Sequence, residues 1–334
     1  MLATGIALVV LSGVFNGLFT TPLRLERRWK WENTWIVFIV ISCLVMPTAM
    51  VLFSSPEWLS ILGEAPRYAV FSAMAFGFSW GFGAICFGKS VHAIGVSMAN
   101  TLVIGLSAAL GSLVPLFMKT RLHIGIKEMV LFAAVIALLV GVAVCGRAGR
   151  IRDGHQQQSG TPAVTGYLLA VAAGVMSAVF NIGYALALPI SDIGVVVHGL
   201  TRFAAVNLIW LLMLGAGAIP NISYCALQMR RNRTSAMLFL PGSLPSWVRS
   251  CSMGLLWGGS IFLYGAATPR LGALGPSVGW PLSLAFGLLI ANVMGVLLGE
   301  WKGAAHPAVK LMCAGLGILL SAIVLCGISA RFPA

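Results

Sequence analysis

The chain has 334 residues, 59% hydrophobic and only 9% charged, yet 21 Lys and Arg stand against 8 Asp and Glu for a formal net charge of +13. Apolar runs of roughly 20 residues, the length that spans a bilayer, leave no water-soluble domain, and the bases fall in short loops, where they set topology instead of binding nucleic acid. The seven cysteines lie mostly inside apolar runs without metal-ligand spacing, so they read as small hydrophobes.

Ten such runs follow in chain order, at about 2–22, 34–53, 68–88, 93–118, 126–146, 165–188, 195–218, 250–268, 273–298 and 308–328. In hydrocarbon each backbone polar group must be satisfied within its own segment, so every run is predicted to be a helix. The first lacks a basic leader and is followed by Arg24, Arg27, Arg28 and Lys30, which predicts a transmembrane helix, not a cleaved signal. Gly77, Gly81, Gly83 and Gly88 make the third run glycine-rich. Between the fifth and sixth runs, residues 147–164 are polar, with Gln156, Gln157, Gln158 and Ser159 at their centre, and read as a linker. That divides the chain into a first five-helix repeat at 1–146 and a second at 165–334, forming one transport unit. The ninth run carries Gly287, Ala291, Gly295 and Gly299, a small residue every fourth position. Another helix can approach such a face closely, within a protomer or at a homodimer seam.

The halves repeat each other. Ser-Gly-Val-Phe-Asn-Gly at 12–17 returns as Ser-Ala-Val-Phe-Asn-Ile at 177–182, and Trp80-Gly81, Gly88 and Gly95 return as Trp257-Gly258, Gly265 and Gly272. Five helices per repeat force the second copy into the membrane upside down. The expected fold is therefore all-α and integral to the membrane, ten helices as two inverted five-helix repeats. This is the usual plan of a secondary transporter, with the substrate site where the repeats meet. Loops 1–2, 3–4, 5–6, 7–8 and 9–10 hold 14 Lys and Arg against 7 on the other side. The richer side is predicted to face the cytoplasm, which puts both termini outside. Some of those bases are placed to touch anionic lipid head groups. Asn221-Ile-Ser223 and Asn232-Arg-Thr234 match the glycosylation pattern but fall on the inner side.

Polar groups inside a membrane are costly and mark candidate site residues. Asn16 and Asn181 stand mid-run at equivalent places, and an amide offers the donor and acceptor that a sugar hydroxyl needs. The same pair would serve equally as glue between helices. Trp80, Trp257 and Trp280 fall inside runs and not at interfacial ends, with Tyr184 and Tyr264 in or near the apolar core. Aromatic faces pack on the C–H face of a pyranose, or simply on one another. His198 and Arg202, four apart and expected on one face of the seventh helix, are the candidates for coupling, with Asp192 just before them. No carboxylate stands mid-span. Catalytic triads, His-Glu-x-x-His and Walker patterns are all missing, which argues against an enzyme.

Arg27-Arg28-Trp29-Lys30-Trp31-Glu32, Trp80-Gly81-Phe82-Gly83, Gly95-Val96-Ser97-Met98 and Glu300-Trp301-Lys302 together resemble the L-rhamnose–proton symporter family of the drug/metabolite transporter superfamily, nearly end to end. The resemblance implies ten helices in two inverted repeats in a bacterial inner membrane. It also implies import of an L-6-deoxyhexose, rhamnose or fucose, with a proton as coupling ion and no other cofactor. Ala84 and Cys86 stand where proton-coupled members carry polar side chains, and Pro276-Ser277-Val278-Gly279 where they carry a carboxylate. The residues by themselves leave two other readings open: an exporter or exchanger of amphipathic metabolites, and a membrane sensor without turnover.

Overall fold

The computed structural model describes residues 2–117, 125–153, 163–271 and 280–329, and among these every regular element is helical. Helix α1 (Leu2–Leu18) is followed by the short α2 (Thr21–Leu25), which Pro22 opens. Helix α3 (Trp31–Ile39) passes through a π-helical stretch, Val40–Val45, into α4 (Met46–Ser54), making one continuous span. Pro47 accounts for the wide turn, because it has no N–H to return to the preceding turn. Then come α5 (Trp58–Glu64), α6 (Arg67–Phe117), α7 (Ile126–Asp153), α8 (Ala163–Val196), α9 (Arg202–Asn232), α10 (Leu244–Leu271), α11 (Trp280–Leu297) and α12 (His306–Ser329). Seven helical segments among the described residues are long and apolar enough to cross a membrane.

The third and fourth runs, expected as two helices with a loop between, are joined in α6 and separated only at Gly95, with φ 87° and ψ 169°. That backbone region is open essentially to glycine alone. A fresh helix starts beyond it, with amides that have no partner in the preceding turn. Glu300 supplies one: Val96 N–H donates to Oε1 at 2.6 Å and Ser97 N–H to Oε2 at 3.0 Å. A carboxylate there also suits the positive end of the helix dipole. Arg24 Nε lies 3.4 Å from the same Oε1. Trp301 Nε1 donates to Ser97 Oγ at 3.2 Å, Ser97 Oγ to Asn292, and Arg152 Nη2 to the Ile94 carbonyl at 3.0 Å. Residues 95–98 and 300–302, two of the segments singled out in the sequence, are thus the two sides of one joint.

Two other boundaries shift. Helix α7 continues to Asp153, into the segment expected as linker, with Arg150 and Arg152 in its last turn where cations offset the dipole. The helix expected over 195–218 instead begins at Arg202. Gly199, with φ 65°, turns the chain, and Thr201 Oγ1 accepts the amide of Ala204 at 3.2 Å. His198 therefore stays in the turn and does not share a helical face with Arg202.

Helix α1 packs along α10 and α11, α6 along α8 and α9, and α7 against α12. Glycine permits the closest of these approaches. A Cβ on Gly13 would lie 2.6 Å from Phe286 Cβ, and one on Gly17 2.6 Å from Ile290 Cβ. In the small-residue stripe of α11, Gly287 faces Gly13 and Asn16, and Gly295 faces Ser97, so these two serve packing within the protomer. Asn221, from the first glycosylation pattern, is fully buried in α9. It accepts from Trp35 Nε1 at 2.9 Å and donates to the carbonyls of Gly81 and Gly217.

Glu26 organises the turn after α2. Its Oε1 accepts the amides of Arg27, Arg28 and Trp29 at 3.0, 2.7 and 3.0 Å and the Ser246 hydroxyl at 2.9 Å, and Arg249 Nη1 meets Oε2 at 3.2 Å. Burial works to raise its pKa, but the bonds from Trp29, Arg28, Ser246 and Arg249 outweigh burial and hold it below the ordinary value. Its contribution is therefore complete above the unfolded carboxylate value of about 4.3 and fades as pH falls through the lower folded value. Glu26→Ala should lower thermal stability by about 1–3 kcal/mol. Glu26→Gln, which keeps an acceptor for the amides, should lose less; equal losses in a detergent thermal-shift assay would show that the acceptor is unimportant.

Candidate functional site

A cavity of about 210 Å³ lies between the halves of the chain, lined from α1, α3, both parts of α6, α8, α9, α10 and α11. Drug-sized ligands occupy pockets of roughly 300–1,000 Å³, so this one suits a smaller solute.

Its aromatic wall begins with Trp80 and Trp257, the tryptophans of the recurring Trp-Gly pair in the sequence. They stack on each other with centroids 5.6 Å apart and planes 15° from parallel. Phe180 packs on Trp80 at 5.1 Å, Trp210 stacks on Phe180 at 6.0 Å, and Phe38 meets Trp257 edge-on at 6.1 Å. The polar lining is neutral: Asn16, Asn100, Tyr264 and the serines at 12, 107, 177, 260 and 283. Ser12 Oγ donates to the Ser260 carbonyl at 2.7 Å and lies 3.0 Å from Ser283 Oγ, tying α1 to α10 and α11. Asn100 Nδ2 donates to Thr20 Oγ1 at 3.1 Å and to the Val96 carbonyl at 2.9 Å, so its place depends on the helix that starts after Gly95. Among the described residues, none that lines the cavity is Asp, Glu, His, Lys or Arg. A charged solute would enter without a counter-ion, whereas hydroxyl groups meet amides and hydroxyls, and C–H faces meet indoles.

The structure thus brings four expected residues, Asn16, Trp80, Trp257 and Tyr264, to one cavity. Tyr184 is not on the lining; it stands behind it, stacked on Trp210 at 4.9 Å. The side chains of Asn181 and Trp280 lie outside the described residues, although their backbones belong to α8 and α11. Four further lining residues carry a signal in the sequence: Trp210 and Asn100 stand mid-run as Trp80 and Asn16 do, and Ser12 and Ser177 open the repeated hexapeptide itself. Trp35 had no such signal, because its run was expected to start next to it.

His198 and Arg202 are not on the lining either. Helix α8 starts beside the Gly95 joint, where a Cβ on Gly166 would lie 2.5 Å from Ile94 Cγ2. Its 34 residues, at 1.5 Å each, carry the chain about 50 Å to the turn that holds His198. There His198 Nδ1 lies 2.8 Å from Glu57 Oε2 and Nε2 3.1 Å from Glu64 Oε2. Arg202 Nη1 pairs instead with Asp192 Oδ1 at 2.8 Å, between two exposed side chains. The bonds to Glu57 and then Glu64 hold the His198 pKa above its ordinary value.

The family profile described as L-rhamnose-proton symport protein matches residues 1–330. An L-rhamnose-proton symporter of Cronobacter sakazakii is 25% identical over 324 residues, covering 93% of this chain and 92% of that one. Symporters of the same description from Salmonella enteritidis and Yersinia pestis are each 24% identical, with 93% of both chains covered. One crystal structure covers 99% of this chain and 99% of its own, with a TM-score of 0.50 and 16% identity, a likeness of fold alone. With its profile matched from the first residue to the 330th, the chain belongs to the L-rhamnose-proton symport family, whose members are transporters and not enzymes.

Proposed function

We propose that this protein imports a neutral L-6-deoxyhexose, rhamnose or fucose, together with a proton across a bacterial inner membrane by alternating access. The observation that carries the substrate class is the cavity: aromatic, amide- and hydroxyl-lined, without a charged side chain among its described residues, and of monosaccharide scale. Asn16 and Asn100 would bind hydroxyls, and Trp80 and Trp257 would take the C–H faces; Asn181, Tyr264 and Trp280 belong to the same proposed site, with Tyr184 supporting it from behind Trp210. The relatives named as L-rhamnose-proton symporters supply the sugar and the ion.

Two inverted five-helix repeats fit the packing. Helix α1 against α10 and α11 mirrors α8 against the two parts of α6, and the last helix of each half, α7 and α12, pair with each other. Repeat-equivalent residues, Ser12 with Ser177 and Trp80 with Trp257, meet at one cavity. On the positive-inside rule the basic loops support an orientation with the Gly95–Glu300 joint inside and the His198 turn outside.

The test is uptake of labelled L-rhamnose and L-fucose by the reconstituted protein, with and without an inward proton gradient. Accumulation above equilibrium only with the gradient is expected. A sugar acid of similar size should not compete, because the described lining offers no cation. Equilibration regardless of the gradient would remove the proton from the reading, and no flux of either sugar would remove the sugar.

A further inference from the structure

The short helix α5 and the turn between α8 and α9 are held together by one imidazole with a carboxylate at each nitrogen. Glu57 meets His198 Nδ1 at 2.8 Å and Glu64 meets Nε2 at 3.1 Å. A neutral imidazole carries one N–H, and an ionised carboxylate only accepts. With both glutamates ionised, the two bonds exist together only in the imidazolium form. The His198 side chain is 9% exposed, whereas Glu57 and Glu64 are 72% and 47% exposed, so the acceptors reach the medium more freely than the ring does. Beneath the polar contact α5 contributes Ile61 to an apolar cluster with Ile190 and Leu208. Ser60 adds a bond to Glu64 Oε1 at 3.3 Å. The charged groups of the flanking helices are Asp192 and Arg202, which pair with each other, and Arg67 at the start of α6.

We infer that the His198 bridge is a proton-binding clamp that straps α5 across the outer end of the transporter and gates the way to the cavity, and that its proton is exchanged with the outer medium and not carried with the sugar. This rests on the orientation and transport function proposed above. The clamp stands at the far end of α8 from the inner joint, and among the described residues no carboxylate, histidine or base lines the cavity to hand a proton inward. The sign follows from the raised pKa: the strap is complete below the free imidazole value of about 6.5 and is lost as pH rises through the higher folded value. Low external pH thus favours the closed outer end.

The reconstituted protein can be assayed for rhamnose exchange at equal pH on both sides, at about pH 5.5 and about pH 8.5, which bracket the imidazole value. Wild type should exchange several-fold faster at the higher pH. His198→Gln should exchange at one rate at both, while reaching the wild-type accumulation ratio under a fixed proton gradient. Loss of accumulation with exchange intact would overturn the inference, because His198 would then carry the coupled proton. An unchanged pH profile in His198→Gln, and in the Glu57→Gln, Glu64→Gln double variant, would overturn it equally. Spin labels at Leu59→Cys and Val197→Cys, in a background without native cysteines, read the clamp without any sugar. Their separation should lengthen from the lower to the higher pH in wild type and not respond to pH in His198→Gln. A pH-independent separation in wild type defeats the clamp whatever the substrate proves to be, whereas absent flux with a responsive separation defeats the transport reading alone.

Discussion

Gly95→Ala should leave little folded protein. Its backbone, at φ 87° and ψ 169°, lies where a side chain costs about 1–3 kcal/mol. The new Cβ would also stand 2.7 Å from the Glu300 carboxyl carbon and from both its oxygens, so it pushes away the group that completes the helix start. Glu300→Ala removes that group without straining the chain. The amides of Val96 and Ser97, both residues fully buried, then lose their acceptor at about 1–3 kcal/mol each. Both variants act on one joint, so the double variant should be little worse than Gly95→Ala alone; effects in a shared network do not add. Thermal unfolding in detergent measures this. A Gly95→Ala protein with the wild-type midpoint would mean the joint relaxes freely. The functional consequence runs through Asn100, whose amide bonds to the Val96 carbonyl one turn into the same helix.

Trp80→Ala and Trp257→Ala should each weaken sugar binding by roughly 10–100-fold. The ring offers a flat apolar face of a size no aliphatic residue matches, and a face contact is worth about 0.5–1.5 kcal/mol beyond the area it covers. Loss of that area adds to it, and each 1.4 kcal/mol is about tenfold in affinity. The two indoles also stack on each other across the halves, so each truncation disturbs the other. A double-mutant cycle should therefore return a coupling of about 0.5–3 kcal/mol. Trp→Phe at either position keeps a face and should lose less. The measurement is the KM of rhamnose uptake at matched protein level, with a melting curve to separate binding from folding. An unchanged KM in both alanine variants would move the sugar away from this wall.

Much of this was legible because membranes simplify sequences. The helical, membrane-spanning class was readable because hydrocarbon leaves the backbone no partner but itself. The repeated hexapeptide and the repeated tryptophans pointed to one meeting place, and Asn16, Trp80, Trp257 and Tyr264 do line one cavity. The boundaries were less legible where a local device overrode hydropathy. A single glycine divides α6, Pro47 widens the turn before α4, and Gly199 with the Thr201 cap starts α9 late, leaving His198 off the helix. Apolar averages over a window do not register single-residue backbone geometry.

The sequence alone determined that this chain is helical and membrane-bound, that no carboxylate stands mid-span in its apolar runs, and which residues its halves share, because each of these depends on composition and order along the chain. Only the tertiary structure decided partnership. Glu300 caps a helix more than two hundred residues before it, Glu57 and Glu64 take the two nitrogens of one histidine, Arg202 goes to Asp192, and Tyr184 stands behind Trp210. Such pairings are fixed by where helices cross. Crossing is set by glycines that let backbones meet and by the caps that end each helix, and neither leaves a periodic mark in the sequence.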